Sequence, residues 1–250
     1  MPHLALVTGA GRRLGRAIAL RLAQEGCDVA VHYNASEDEA DAVAQEINAL
    51  GRRAHAVGFD QTDDAGMDAG LAAIRQIFGA APCVLVNSAS IFEWDNLSTV
   101  DRVSLTRHFE ANLFGPVLLA RKLVEASGET TRGLILNLLD QKLANPNPDH
   151  LSYTLSKYAL QGFTTLMAQS LTPRFRVCAI APGHTLQSPT ETAEHFAAIH
   201  DQTPLHRGPT PDDIAEAAAY LFNSPAVTGQ TIFVDGGAHM RPSGRDFAFH

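Results

Sequence analysis

The stretch DQKLANPNPDHLSYTLSK, residues 140 to 157, follows an apolar run from Leu134 to Leu139 and opens with a carboxylate. A Pro-rich loop, Asn145 to Pro148, leads into a helical pattern that carries Tyr153 and Lys157. Side chains four residues apart share one face of a helix. An ammonium beside a phenol favours the phenolate, so the spacing predicts a lowered Tyr153 pKa and a proton donor or acceptor suited to neutral pH. The chain has only three lysines and four tyrosines. A Tyr-x-x-x-Lys spacing then arises by chance in roughly one such chain in twenty. The alternative is a surface lysine packed along a tyrosine, and the rest of the chain has to decide.

The 250 residues, 45% of them apolar and 18% charged, suffice for a large core and are read as a single domain. A net charge of -8 and a pI near 5.7 leave no broad basic surface, which argues against a nucleic-acid partner. The one tight basic cluster, Arg12, Arg13 and Arg16, sits beside a Gly-rich turn, where it suits a small phosphate. Cys27, Cys83 and Cys178 are isolated and show no CxxC spacing, so free thiols in a reducing compartment are expected and no metal. Most of the eleven histidines are read as solvent or loop residues, and none has the spacing of a metal-ligand pair. Neither a signal peptide nor a membrane span is expected, and the cytoplasm is the expected location.

From the N-terminus, His3 to Thr8 reads as a strand, GAGRRLG as a turn, and RAIALRLAQEG as a helix ending at Gly26. Such a turn presents backbone N–H groups and a helix N-terminus to an anion, and its glycines allow phosphate to approach the backbone. The glycines fall at 9, 11 and 15, a departure from strict GxGxxG. A second strand, Asp28 to Tyr33, ends without the acidic residue that binds the ribose hydroxyls of NAD. With Arg13 nearby and His32, Tyr33, Asn34, Ala35 and Ser36 at that place, NADP(H) is favoured over NAD(H).

A helix from Glu37 to Leu50, a strand from Ala54 to Phe59, a helix from about Asp63 to Phe78 and a strand from Cys83 to Ser90 continue the alternation. One long helix is expected from about Thr99 to Glu125, with Asn112 at its middle. That Asn either faces solvent or, beside Gly115 and Pro116, marks a kink with freed backbone groups. A strand from Phe175 to Ala181, a helix from about Pro211 to Phe222 and a strand from Thr231 to Val234 complete the pattern. The expected fold is α/β: a doubly wound, Rossmann-like parallel sheet with helices on both faces and ligands at the carboxyl ends of its strands. Asp60, Asn87 to Ser90 and Asp140 occupy such ends. Residues 184 to 207 are expected to form a lid over the substrate. The tail from 238 to 250 is read as disordered or packed on a neighbouring subunit, with Arg241 as a candidate to reach a neighbour's site.

Taken in order, TGAGRRLG, NSAS, Asn112, Tyr153-x-x-x-Lys157, Pro182-Gly183 and VDGG resemble the short-chain dehydrogenase/reductase family over essentially the whole chain. The resemblance implies a Tyr acid/base at Tyr153, a Lys at Lys157 that holds the nicotinamide ribose, and an Asn at Asn112 that anchors a water relay. It also implies a dinucleotide site drawing on Gly9, Gly11, Arg13, Leu14, Gly15, Tyr33, Asn34, Ser36, Asp60, Gln61, Asn87, Ala89, Ser90, Lys157, Pro182 and Gly183. A homotetramer is implied as well, with the Asn112 and Tyr153 helices at an interface.

Two departures carry the substrate information. Arg13 replaces the second glycine of the commoner TGxxxGxG turn, and Asp140 stands thirteen residues before the Tyr, where a Ser is usual. Both features, with HYxxS and NxASxF, resemble pteridine reductases and bacterial dihydromonapterin reductases. In that branch Phe92 would stack on a pterin and Ser90 would touch cofactor phosphate and pterin. Ala35 stands where that branch has Arg, and Ser88 stands where the second Asn of NNA is usual.

A carboxylate repels the charge that develops on a reduced carbonyl oxygen, whereas it accepts from an amino or ring N–H and relays a proton to nitrogen. The expected function is hydride transfer from NADPH to the C=N bond of a dihydropterin, with Asp140, Tyr153, Lys157 and Asn112 catalytic and with Ser90, Phe92, Asp140 and Tyr153 binding substrate. An NADPH-dependent carbonyl reductase using a protonated Asp140 is the first alternative. A non-catalytic nucleotide-binding sensor is the second, and the intact Tyr153, Lys157 and Asn112 argue against it.

Overall fold

Strand β1, Leu4–Val7, is buried along its whole length, and its residues alternate between two cores: Ala5 and Val7 on one face, Leu4 and Leu6 on the other. A strand buried on both faces needs helices above and below it, and the chain supplies them. In this computed structural model, which describes residues 3–188 and 191–247, the order continues with α1 (Arg13–Gln24), β2 (Asp28–Tyr33), α2 (Glu37–Ala49), β3 (Ala54–Gly58) and α3 (Asp64–Phe78). The second half runs β4 (Val84–Asn87), α4 (Arg102–Phe109), α5 (Gly115–Ala126), β5 (Gly133–Leu138), α6 (Leu151–Ser170), β6 (Phe175–Pro182), α7 (Ala193–Gln202), α8 (Pro211–Asn223) and β7 (Thr231–Val234).

The seven strands form one parallel sheet in the order β3-β2-β1-β4-β5-β6-β7. On one face Ile18, Leu22, Ile47 and Ile214 pack on Val29, Val31 and Ile180. On the other, Met67, Ile74, Leu119 and Leu123 pack on Leu6, Leu85 and Ile135. Each such side chain, fully buried, contributes about 2 kcal/mol. Sequence order reverses between β1 and β4, so the loops after these two strands diverge and leave a crevice at their carboxyl ends. The expected doubly wound fold is therefore the observed one.

The long helix expected from Thr99 to Glu125 is broken. Residues Glu110–Phe114 form a π-helical turn between α4 and α5, and Gly115 N–H donates to the Glu110 carbonyl five residues back. Pro116 is the cause, because it has no N–H to give the carbonyl of Asn112. The tail is also ordered through Phe247 against its own chain: Arg245 pairs with Asp149 at 2.8 Å, and Arg241 donates to the Gln202 carbonyl at 2.7 Å rather than entering the site. Both replace the expectation of a disordered tail for the residues described. Residues 189, 190 and 248 to 250, which belong to the expected lid and tail, lie outside the described residues.

His32 is an exception to the reading of most histidines as solvent or loop residues. It is buried in β2, and His108 and His150 are buried as well. The Gly9 N–H donates to His32 Nδ1 at 3.2 Å, so the opposite nitrogen carries the proton that bonds the Phe59 carbonyl at 2.9 Å. The ring thus ties the glycine turn to the ends of β2 and β3 and is neutral in that arrangement. Burial lowers its pKa from 6.5 to about 4. A folded-state value depressed in this way contributes stability that is present above pH 6.5 and is lost as pH falls through about 4, by roughly 3 kcal/mol in all. Urea denaturation across that window is expected to show the slope in wild type and to show it flattened in His32→Asn.

Candidate active site

Tyr153 and Lys157 lie one turn apart near the start of α6, both buried. The Tyr153 hydroxyl donates to Asp140 Oδ2 at 2.9 Å. Asp140 caps the short turn after β5, where its Oδ1 accepts from the Lys142 N–H at 2.8 Å. It is partly buried, not a water-facing loop carboxylate. Burial raises the Asp140 pKa above the usual carboxylate value. Burial, then the charge of Asp140, raises Tyr153 well above 10. This reverses the expectation that Lys157 lowers Tyr153. The lysine Nζ donates to the Leu138 carbonyl at 2.7 Å and stands 5.5 Å from the Tyr153 ring centroid, and its own pKa is lowered by burial to about 8.

Asn112, almost fully buried in the π-helical turn, directs its side chain away from the tyrosine. Its Oδ1 accepts from Ile91 N–H at 2.9 Å, and its Nδ2 donates to the Ile91 carbonyl at 3.0 Å and to Ser156 Oγ at 3.1 Å. It therefore clamps the loop after β4 onto α6. Phe92, on that loop, is half exposed. It stacks on His150 with centroids 4.0 Å apart and meets the Tyr153 ring edge-on at 4.7 Å. Asp95 fixes the other side of the loop by accepting from the Ser152 N–H at 3.0 Å and from Ser104 Oγ at 2.8 Å.

Two cavities meet at Phe92. The first, about 510 Å³, is lined by Gly9, Arg13, Leu14, Gly15, Tyr33, Asn34, Ser36, Ala89, Ser90, Tyr153, Lys157 and Pro182, with His32, Ala35, Leu138 and Leu139 beside them. It fits a dinucleotide. Gly9 has a φ of +63°, and a Cβ at Gly15 would collide with the Gly9 carbonyl, so the turn needs glycine at both places. Arg12 is paired with Glu39 and Arg16 with Glu46, while Arg13 holds no ion pair among the described residues and lines the cleft.

Gly183 lines the neighbouring cavity instead, and Gly11, Asp60, Gln61 and Asn87 line neither. Asp60 accepts from the Thr62 N–H at 2.8 Å, Gln61 Nε2 donates to the Ala111 carbonyl at 2.7 Å, and Asn87 joins β4 to β5 through Asn137 at 2.8 Å.

The second cavity, about 490 Å³, is walled by Phe92, Asp140, Gln141, Gly183, His184, Ser188, Glu191, Thr192, His195, Asp246 and Phe247. Glu191 stands between His184 (2.9 Å) and His195 (2.9 Å). Neither this trio nor Asp246 emerged from sequence reasoning; the helix-like run containing Glu191 and His195, four residues apart, was the one available signal. No group of acidic, histidine and cysteine side chains suited to a metal ion occurs among the described residues, and no helix among them is long and apolar enough to cross a membrane.

Residues 9–239 match the family model described as enoyl-(acyl carrier protein) reductase. The chain is 38% identical to FolM alternative dihydrofolate reductase 1 of Brucella canis, whose structure complexed with NADP superposes with a TM-score of 0.91 over 98% of this chain and 96% of that one. A short chain dehydrogenase of Burkholderia cenocepacia in complex with NADP is 31% identical, with a TM-score of 0.85 over 94% and 97%. The 3-oxoacyl-[acyl-carrier-protein] reductase FabG of Staphylococcus aureus is 35% identical over 245 residues, covering 96% of this chain and 99% of that protein.

Proposed function

We propose a cofactor and a substrate for a chain that belongs to the short-chain dehydrogenase/reductase family of oxidoreductases: NADPH, and a dihydropterin-type heterocycle reduced at a C=N bond. NADPH, when bound, supplies the hydride. The cleft lined by Gly9, Arg13, Ser36 and Lys157 is its site, Arg13 meets the 2′-phosphate, and Lys157 holds the nicotinamide ribose. The FolM and Burkholderia structures, both NADP complexes, support the cofactor.

The observation that carries the substrate is the hydrogen bond from Tyr153 to Asp140 at 2.9 Å. Reduction of a ketone leaves negative charge on oxygen, which a carboxylate opposes. Reduction of C=N moves the π pair onto nitrogen, which takes a proton. With its pKa raised, Tyr153 is a phenol with that proton to give, and Asp140 accepts an N–H of the ring or amino group while the proton is replaced from solvent. The Asn112 carbonyl anchors the water that replaces it. The FolM relative supports the same class.

A second reading has a specific observation behind it: FabG is a 3-oxoacyl reductase, and burial raises the Asp140 pKa, as a neutral donor to a carbonyl requires. NADPH oxidation with a dihydropterin and with a panel of ketones separates the two. Asp140→Ser is expected to lower dihydropterin turnover at least about a hundredfold, the scale of losing a general acid/base. Ketone turnover that exceeds dihydropterin turnover in wild type and survives in the variant contradicts the pterin reading.

A homotetramer belongs to the same proposal. Val103, Phe114, Leu155 and Leu166 leave apolar surface exposed on and around the helices that carry Asn112 and Tyr153, and a neighbouring subunit would cover it. Light scattering is expected to give a tetramer, and a monomer sinks this part. A cytoplasmic location is also proposed, since the three free thiols suit a reducing compartment.

A further inference from the structure

One polar side chain on the wall of the substrate cavity has no work inside the protein. Gln141, 7% exposed, follows Asp140 directly and lines the cavity with it. Its backbone builds the short turn after β5, where the Ala144 N–H donates to the Gln141 carbonyl at 3.0 Å. Its carboxamide takes no part in that turn. Oε1 is sealed from solvent without a hydrogen-bond partner, and Nε2 is given none by any described residue. Buried polar groups are nearly always hydrogen-bonded, so a carboxamide left idle on a cavity wall points to a ligand.

The groups around it are engaged. Asp140 accepts from the Tyr153 hydroxyl and from the Lys142 N–H. Glu191 is held between His184 and His195, and Thr192 Oγ1 accepts from the His195 N–H at 3.2 Å. No Lys or Arg lines the cavity among the described residues, and Gln141 is the one carboxamide that does. Since Oε1 is the end shut in, the NH2 end is the one that meets the cavity. Turning the amide over would bury its two N–H donors unpaired in place of one acceptor, which costs more. Side by side, Asp140 therefore offers an acceptor and Gln141 a donor.

We propose that Gln141 is a substrate-binding residue that sets specificity: its NH2 donates to a ring carbonyl while Asp140 accepts from the ring N–H beside it, so the two read the lactam edge of one flat heterocycle. This deepens the substrate class proposed above and rests on it for the identity of the reacting compound. A ring with an amino group in place of that carbonyl sets donor against donor at Gln141 and draws nothing from it.

The test uses the full chain loaded with NADP+, titrated calorimetrically with two probes. One is pterin, which carries the ring carbonyl beside an N–H; the other is 2,4-diaminopteridine, which carries an amino group in its place. Neither is turned over by the oxidised cofactor complex. Gln141→Met, close in volume, is expected to weaken pterin about tenfold, the scale of one hydrogen bond lost at a buried site, and to leave 2,4-diaminopteridine within about twofold. Gln141→Glu, which can only accept, is expected to weaken pterin as much and to tighten 2,4-diaminopteridine. With a dihydropterin and NADPH, Gln141→Met should raise KM about tenfold and spare kcat, as the loss of a contact made equally in ground and transition states does.

Equal loss of both probes in Gln141→Met marks a packing role and overturns the inference. So does pterin affinity unchanged in Gln141→Met, or a wild type that binds neither probe. Dihydropterin turnover is read separately. If the variants split the two probes and dihydropterin is not reduced, the substrate identity falls and the role of Gln141 stands. If dihydropterin is reduced with the same KM by wild type and Gln141→Met, the role of Gln141 falls and the substrate identity stands.

Discussion

Tyr153 and Asp140 come into hydrogen-bond contact at the end of a buried strand, and most of the structure around them exists to keep that contact dry and in register. In this pair the carboxylate raises the phenol's proton affinity, while burial raises the carboxylate's own against the opposing pull of the phenol's hydrogen bond. Such a pair survives only where neighbouring groups fix both partners. The turn after β5 fixes Asp140 through the Lys142 N–H. The first turns of α6 fix Tyr153, and that helix start is held in turn by Asp95, Ser104 and Ser152. The loop after β4 is clamped by Asn112 and brings Phe92 onto the tyrosine. The loop after β4 and the segment after β5 thus converge because a parallel sheet delivers all its strand ends to one side.

The glycine turn depends on a comparable fixing at the other end of the crevice. His32 bonds Gly9 and the Phe59 carbonyl with its two nitrogens, so the glycine turn, β2 and β3 are set relative to one another by one neutral ring. Lys157 lines the first cavity and donates to the Leu138 carbonyl. Burial lowers its pKa to about 8.

The alternation of strand and helix made the sheet legible, since fully apolar strands such as LALV and helices with 3.6-residue periodicity are local signals. Tyr153 and Lys157 were legible for the same reason, as a spacing on one helix. The break at Glu110–Phe114 was legible only as one of two readings of Asn112, the kink beside Gly115 and Pro116, because apolar periodicity runs on through one inserted residue and Pro116 is acceptable at the start of a new helix. Strand ends marked Asp60, Gln61 and Asn87 as near the crevice, but which end residue faces the cleft depends on tertiary partners such as Ala111 and Asn137. The contacts of Asp149 with Arg245 and Asp246 join residues 96 and 97 positions apart, and no periodicity announces a pair so distant. His32 left a faint mark, a polar side chain inside the apolar strand DVAVHY, and it was read as one of the residues at the strand's end rather than as a buried tie.

A crystal structure of the chain with NADP+ and a pterin tests the central claim, that the carboxylate–phenol pair serves nitrogen rather than carbonyl oxygen. The account predicts a pterin lying against Phe92 with a ring or amino N–H within about 3.2 Å of an Asp140 carboxylate oxygen and Tyr153 still bonded to the same side chain. A pterin bound with its carbonyl oxygen on Tyr153 and Asp140 turned away, or no pterin in that cavity, would contradict it.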